Sequence, residues 1–324
     1  MVSIIIPLYN KAAYIEKAIR SVFNQTFKKF ELIIVNDGST DQGLEVVTNL
    51  LTTLSRQTVV CSWKVIDQIN EGVSKARNKG VKEANYNYIA FLDADDWWEP
   101  TYLEEMNILI TEFPEAGIYG SSYFKVKNGH NIIASIGVEY GFKKGLINYC
   151  QVYSKTMYQP IWTGATIIKK LVFESEHGFK STLKLGEDFD LWVRVSLKYP
   201  VAFLNKPLAY YNQDVEPTNR AIGEKLYEPN EHMLFSDYGD LMKNIDFRNL
   251  FEVLAVYGLL PYYLSGKNKK EVDIILSKIE WINHPFKYRL YYNVLPKQLF
   301  KLWVLFQKFA YHLKSAIISN KSAY

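Results

Sequence analysis

Cysteine is nearly absent from the 324-residue chain, which has only Cys61 and Cys150. A disulfide-stapled scaffold is excluded, and two lone thiols suit packed side chains in a reducing compartment better than a bridge or metal site. Glycine is missing where ATP or dinucleotide chemistry needs it: no P-loop and no Gly-x-Gly-x-x-Gly follows any apolar run. The loop after the first such run, Pro7-Leu8-Tyr9-Asn10, has none either. A sugar-phosphate nucleotidyltransferase would need a Gly-rich loop with Arg or Lys there. Long apolar runs are also lacking. The longest uncharged stretch of the C-terminal half, Val253 to Gly266, is 14 residues broken by Pro261, short of the roughly 20 a spanning helix needs. The opening Met1-Val2-Ser3 shows no basic leader or cleavage site, so a cytoplasmic location is expected.

Acidic residues stop at Glu280. Beyond it Lys287, Arg289, Lys297, Lys301, Lys308, Lys314 and Lys321 stand unopposed, while the other 280 residues carry 31 basic and 34 acidic groups. Phe300, Trp303, Val304, Phe306 and Phe309 are interleaved with those lysines. Two readings fit this tail. It lies as an amphipathic helix on an anionic membrane, or it docks on the chain's own core or a second subunit. Its apolar content argues against nucleic acid as the partner. Elsewhere 18 Phe, 24 Tyr and 7 Trp, within 48% apolar residues, supply ample core and exclude disorder as the main state. The length favours two packed units.

The first half alternates. Val2–Pro7, Glu31–Asn36, Thr58–Ile66 and Tyr88–Leu92 read as buried strands. Between them Lys11–Asn24, a stretch to about Leu54, and Glu71–Ala84 carry helical spacing. Such alternation predicts an α/β fold with a mostly parallel sheet flanked by helices. In that architecture ligands sit beyond the carboxyl ends of the strands, which places Pro7–Asn10, Asn36–Ser39, Asp67–Glu71 and Asp93–Asp96 along one rim. An Asp in any one of these loops is ordinarily a turn or cap residue. Their convergence is harder to assign to turns alone.

The motifs resemble those of a family 2 glycosyltransferase of the GT-A (Rossmann-like) fold, of the bacterial surface-polysaccharide type. The resemblance rests on Val2-Ser3-Ile4-Ile5-Ile6-Pro7-Leu8-Tyr9-Asn10, Val35-Asn36-Asp37-Gly38-Ser39-Thr40-Asp41, Asn70-Glu71-Gly72 and Ala76-Arg77-Asn78. Phe91-Leu92-Asp93-Ala94-Asp95-Asp96 and Gly186-Glu187-Asp188-Phe189-Asp190-Leu191-Trp192 complete it. It covers about residues 1–212 as a nucleotide-sugar-binding catalytic domain. Residues 213–324 read as a mainly helical region, through the stretches Phe247–Leu264 and Val272–Ile282.

The resemblance implies inverting transfer of a sugar from a nucleotide diphosphate to a hydroxyl of a glycan or lipid-linked glycan. It further implies assistance by Mn²⁺ or Mg²⁺, which take one or two carboxylates plus phosphate oxygens and water. Asp95 is then the metal ligand, and Asp93 reaches the ribose or a metal-bound water. Pro7, Tyr9 and the backbone near Asn10 border the base pocket, and Asp37 accepts a hydrogen bond from the base. A carboxylate facing an imide N–H suits uracil, so a UDP-sugar is the expected donor. Arg77 either reaches base or diphosphate or is an exposed helix residue paired with a carboxylate. Asp188 is the expected general base, with Glu187 orienting acceptor or donor sugar; a plain helix N-terminal pair is the structural alternative. Trp162 is either a sugar platform or a packing residue. Asp96 is expected to cap the helix that Pro100 opens, and Asp190 to pair with Arg194 on the helix surface. A non-catalytic sugar-nucleotide-binding protein is the alternative outside catalysis.

Overall fold

A computed structural model of the chain describes residues 1–57, 62–216, 225–299 and 301–302. Cys61 and the tail residues Phe300, Trp303, Val304, Phe306, Lys308, Phe309, Lys314 and Lys321 lie outside them.

The contact pattern divides the chain into two compact units, Met1–Leu250 and a second beginning at Phe251. The first opens as β1 (Val2–Leu8), α1 (Ile15–Phe23), β2 (Phe30–Asp37), α2 (Gly43–Gln57), β3 (Ser62–Gln68), α3 (Val73–Lys82) and β4 (Tyr88–Phe91). β1 and β2 are buried along their whole length, as continuous Ile/Val/Leu runs require of strands covered on both faces. α1 turns Ile15, Ala18, Ile19, Val22 and Phe23 inward, the stripe a 3.6-residue period dictates. α3 lies close on β1, where a Cβ on Gly80 would come within 2.5 Å of the Ile5 side chain.

The next stretch brings β5 (Trp97–Trp98), α4 (Tyr102–Glu112), β6 (Ile118–Lys127), β7 (His130–Ile133), β8 (Lys144–Ile147) and α5 (Tyr149–Thr156). After these come β9 (Thr166–Lys169), α6 (Lys170–Ser175), α7 (Glu187–Ser196) and β10 (Val201–Asn212). The sheet order is β3-β2-β1-β4-β9-β6-β10-β5, with β7 beside β6 and β8 beside β10. β3, β2, β1 and β4 run parallel, in a register that aligns Leu8 with Asn36 and Asn36 with Asp67. β9 is antiparallel to both β4 and β6, and β10 is parallel to β6. The predicted α/β fold with helices flanking a central sheet is the one found. At the amino ends of the strands buried Glu31 accepts from Ser3 Oγ (2.5 Å), Asn85 N–H (2.6 Å) and Asn85 Nδ2 (2.7 Å). The opposite, carboxyl ends carry the rim.

The second unit contains most of α8 (Ile245–Gly258), then α9 (Leu260–Ser265), α10 (Lys269–Ser277), α11 (Phe286–Arg289) and a π-turn at Leu290–Val294. The single helix expected over Phe247–Leu264 is two, because Pro261 opens a new helix. Within this unit Tyr292 donates to the Val256 carbonyl (2.9 Å), and buried Glu252 accepts from His284 Nε2 (2.9 Å) and the Glu280 N–H (3.2 Å). Among the described residues no helix is long and apolar enough to cross a membrane.

Candidate active site

The rim loops are tied to one another by side chains. Asn10, at φ 50°, accepts from the Thr40 N–H at 2.8 Å, and Asp41 accepts from the Ala12 N–H at 2.8 Å. Asn36 donates to Asp67 at 2.7 Å. Asp37 is 3% exposed, with one oxygen taking Gln68 Nε2 (2.7 Å) and the Glu71 N–H (2.9 Å), the other the Gly72 N–H (2.8 Å). It therefore shapes the loop that leads into α3, on the side where a base was expected. Pro7 is buried inside β1, and Tyr9 stands 47% exposed at the rim.

The loop after β4 concentrates negative charge. Asp96 is 2% exposed and accepts from the Asn212 N–H at 2.7 Å. Burial, then the charges of Asp95 and Asp93, push its carboxyl well above the ordinary range. Asp95 is raised as well, by burial against the pull of Lys11, whose ammonium lies 2.5 Å from its Oδ2. Asp93 meets Arg77 Nη2 at 2.7 Å. The same guanidinium reaches Glu187 Oε1 with Nη1 at 3.0 Å. Arg77, its side chain 5% exposed, thus bridges motifs 94 residues apart. It remains charged because the carboxylates outweigh its desolvation and raise its pKa.

Glu187 and Asp188 open α7. Gly186 before them sits at φ 79°, and a Cβ there would run into the Met233 side chain. Residues 231–233 hold this turn from across the fold: Lys184 N–H donates to the Glu231 carbonyl (2.7 Å), and Met233 N–H to the Leu185 carbonyl (3.1 Å). Asp188 accepts from the Phe189 N–H at 2.7 Å and from the Thr163 hydroxyl at 3.3 Å. Burial raises both Glu187 and Asp188 above the ordinary carboxylate range, the direction that makes a carboxylate a better proton acceptor. Tyr149 and Tyr153 lie within the field of Asp188.

Two carboxylates, Asp93 and Asp95, two residues apart suit a hard divalent cation that takes its other ligands from phosphate and water. Among the described residues no group of three or more His, Cys, Asp and Glu side chains could hold a metal alone.

Residues 3–163 match the family model described as glycosyl transferase family 2. That segment of the chain belongs to the family. Among curated family relatives, the glycosyltransferase GlyA of Streptococcus pneumoniae is 31% identical over 231 residues, 65% of this chain and 30% of its own length. An uncharacterised glycosyltransferase of Rickettsia conorii is 31% identical over 214 residues, 64% of this chain and 32% of its own. The chain thus spans about a third of the length of these relatives. Among solved structures, Staphylococcus aureus TarS (residues 1–349) in complex with UDP-GlcNAc superposes with a TM-score of 0.60 at 20% identity, covering 92% of this chain and 77% of that one. A mannosyltransferase of Pyrobaculum calidifontis in complex with GDP-Man and Mn²⁺ gives 0.56 at 15% identity, covering 93% and 84%. At such identities these two share the family's fold.

Two structural expectations are corrected. Asp96 does not cap the helix after Pro100: α4 begins at Tyr102 after Thr101, and Asp96 instead receives the N–H that ends β10. Asp190 does pair with Arg194, at 2.7 Å, but as a fully buried residue that also takes Lys180 at 2.7 Å. Arg77 pairs with carboxylates, as its structural alternative had it, but from a buried position. Trp162 is 8% exposed between Tyr123 (4.8 Å) and Tyr211 (5.1 Å). Sequence reasoning missed Lys11 and the 231–233 segment. Lys11 gave a signal, as a cation directly following a rim loop opposed by aspartates. Residues 231–233 gave none, being 45 residues beyond Gly186 with no motif of their own.

Proposed function

We propose that residues 1–212 are the catalytic domain of an inverting hexosyltransferase that moves a sugar from a UDP-sugar to an acceptor hydroxyl, in polysaccharide or glycolipid biosynthesis. The observation that carries this is the Arg77 bridge, which joins the loop of Asp93 and Asp95 to that of Glu187 and Asp188. A transferase needs a charged diphosphate and a base at one reacting carbon, and the bridge holds the two loops in that relation. The likeness to structures carrying UDP-GlcNAc, or GDP-Man with Mn²⁺, supports a nucleotide-sugar donor.

Pro7, Tyr9, Asn10 and Asp37 form the nucleotide side in this reading. Asp95 and Asp93 would hold Mn²⁺ or Mg²⁺, which when bound neutralises charge developing on the leaving diphosphate. Arg77 fixes Asp93 and Glu187. Asp188 takes the acceptor proton, its carboxylate held in orientation by the Phe189 N–H and the Thr163 hydroxyl. Trp162 packs behind the sugar, between the tilted rings of Tyr123 and Tyr211. Residues 213–324 are the helical accessory region. Exposed Ile282, Phe286, Val294, Leu299 and Leu302 accompany Lys287, Arg289, Lys297 and Lys301 there, which supports contact with the inner face of an anionic membrane, where a lipid-linked glycan acceptor would be met. A cytoplasmic location accords with that placement.

Calorimetric titration with UDP, with and without Mn²⁺, tests the donor side. UDP is expected to bind with metal-enhanced affinity that Asp95→Ala removes. Metal-independent UDP binding that is indifferent to Asp95→Ala overturns the assignment.

A further inference from the structure

Lys11 is placed with more care than a surface lysine requires. It follows Asn10, whose side chain anchors the loop to Thr40, and its own carbonyl accepts the N–H groups of Tyr14 and Ile15 at 3.0 Å each, starting α1. Its backbone is fixed at both sides, so its stem points across the rim to Asp95, 84 residues away. The two side chains are only 15% and 19% exposed. A pair this shielded from solvent is screened little by salt, and neither charge is readily left alone.

The charges of Asp93 and Asp95 act on each other and on Asp96, which is 2% exposed. Arg77 answers Asp93 and is shared with Glu187. Asp96 takes a backbone N–H. Lys11 is therefore the cation that answers Asp95, and it occupies an oxygen that a metal ion would need.

Building on the assignment of Asp95 as the metal ligand, we propose that Lys11 is the resident counter-ion of Asp95, which it surrenders only when a nucleotide diphosphate and a divalent cation arrive together. The physical reason is competition. A divalent cation alone must displace an ammonium already in contact and then obtain its remaining ligands from water. With a diphosphate present, phosphate oxygens supply those ligands, and the released ammonium keeps anionic neighbours. Lys11 thereby couples the two ligands, making each wait for the other. It acts through Asp95, so it is a positioning residue.

The test measures free Mn²⁺ by electron paramagnetic resonance on the full chain, titrated with and without UDP. In the unaltered protein Mn²⁺ alone is expected to bind weakly, and UDP to tighten it strongly. Lys11→Met should bind Mn²⁺ alone roughly tenfold more tightly, with the effect of UDP on Mn²⁺ reduced by a similar factor. Lys11→Arg keeps the charge and should stay near the unaltered protein. Lys17→Met removes an equal charge from its cation–π contact with Trp97 and should change Mn²⁺ binding little. Circular dichroism melting confirms that each variant is folded, and Lys11→Gln replaces Lys11→Met should the latter unfold. If the Lys11 variants bind Mn²⁺ alone no better than the unaltered protein, or if Lys17→Met matches them, the counter-ion role is wrong while the donor assignment stands. If the unaltered protein takes up no Mn²⁺ even with UDP, the metal-assisted reading itself fails, and this one with it.

Discussion

The loop after β2 and the Glu187–Asp188 loop both present carboxylates at a strand or helix end, yet they are built in opposite ways. At the loop after β2 each polar group is satisfied by chain close by or by the adjacent strand. Asp37 takes two backbone N–H groups and an amide from residues 68–72, and Asn36 pairs across the register with Asp67. At the second loop the supports come from far away: Arg77 from α3, Thr163 from ahead of β9, and residues 231–233 from beyond β10. Parallel strands place successive loops side by side automatically. The antiparallel insertion of β9 breaks that sequence, so Glu187 and Asp188 need individual tethers. The loop after β2 should therefore tolerate local change, and the second loop should fail at a distance.

The largest expected effect lies at the second loop. Asp188→Asn keeps the shape and the Thr163 contact but removes the carboxylate proposed as proton acceptor. Turnover in a UDP-sugar transfer or hydrolysis assay is expected to fall by about 10²–10⁴, with UDP affinity by calorimetry unchanged. Transfer at close to the normal rate would show that the two loops do not divide the work as argued.

Next comes pH. His232 is buried as the neutral imidazole, its Nδ1 accepting the Leu234 N–H at 3.1 Å, and burial lowers its pKa from 6.5 to about 4. A group whose folded pKa is depressed this way binds its proton more readily when unfolded. Its contribution is intact above pH 6.5, declines as pH falls, and is fully lost below about 4, roughly 3 kcal/mol in all. Because residues 231–233 hold the Gly186 turn, hydrogen exchange at Leu185–Phe189 should rise over that window before the amides of β1 and β2 respond. His232→Gln should flatten the dependence.

The smallest effect is steric. Gly186→Ala places a side chain at φ 79° and against Met233, an expected loss of about 1–3 kcal/mol in denaturant unfolding. Adding Met233→Ala should recover the steric part and leave the backbone part. Full recovery, or none, would assign the cost to one cause alone.

Much of the rim was legible in the chain. The apolar runs at Val2–Pro7 and Glu31–Asn36 could only be buried strands, and helical spacing between them fixed the alternation. From alternation follows a parallel sheet, and from a parallel sheet a single rim holding Asp37, Asp93 and Asp95. Each step is local or one strand away, so periodicity carries it. The helix boundaries differ from expectation by a few residues, as at α1, which starts at Ile15 rather than Lys11, because the Lys11–Tyr14 turn is spent anchoring the loop.

Tertiary structure alone decided the rest. Nothing in the sequence near Arg77 says that its two terminal nitrogens divide between Asp93 and Glu187, or that Asp190 is wholly buried between Lys180 and Arg194. Nor does anything near Asp96 say that it ends β10 instead of capping a helix. Those outcomes depend on which segments meet across the antiparallel half of the sheet. A buried charge must find its partner among whatever the fold brings within hydrogen-bond reach, because the cost of leaving it unpaired exceeds any local preference. Composition and spacing determined which residues would carry charge at the sheet's edge; long-range packing decided which charge answers which.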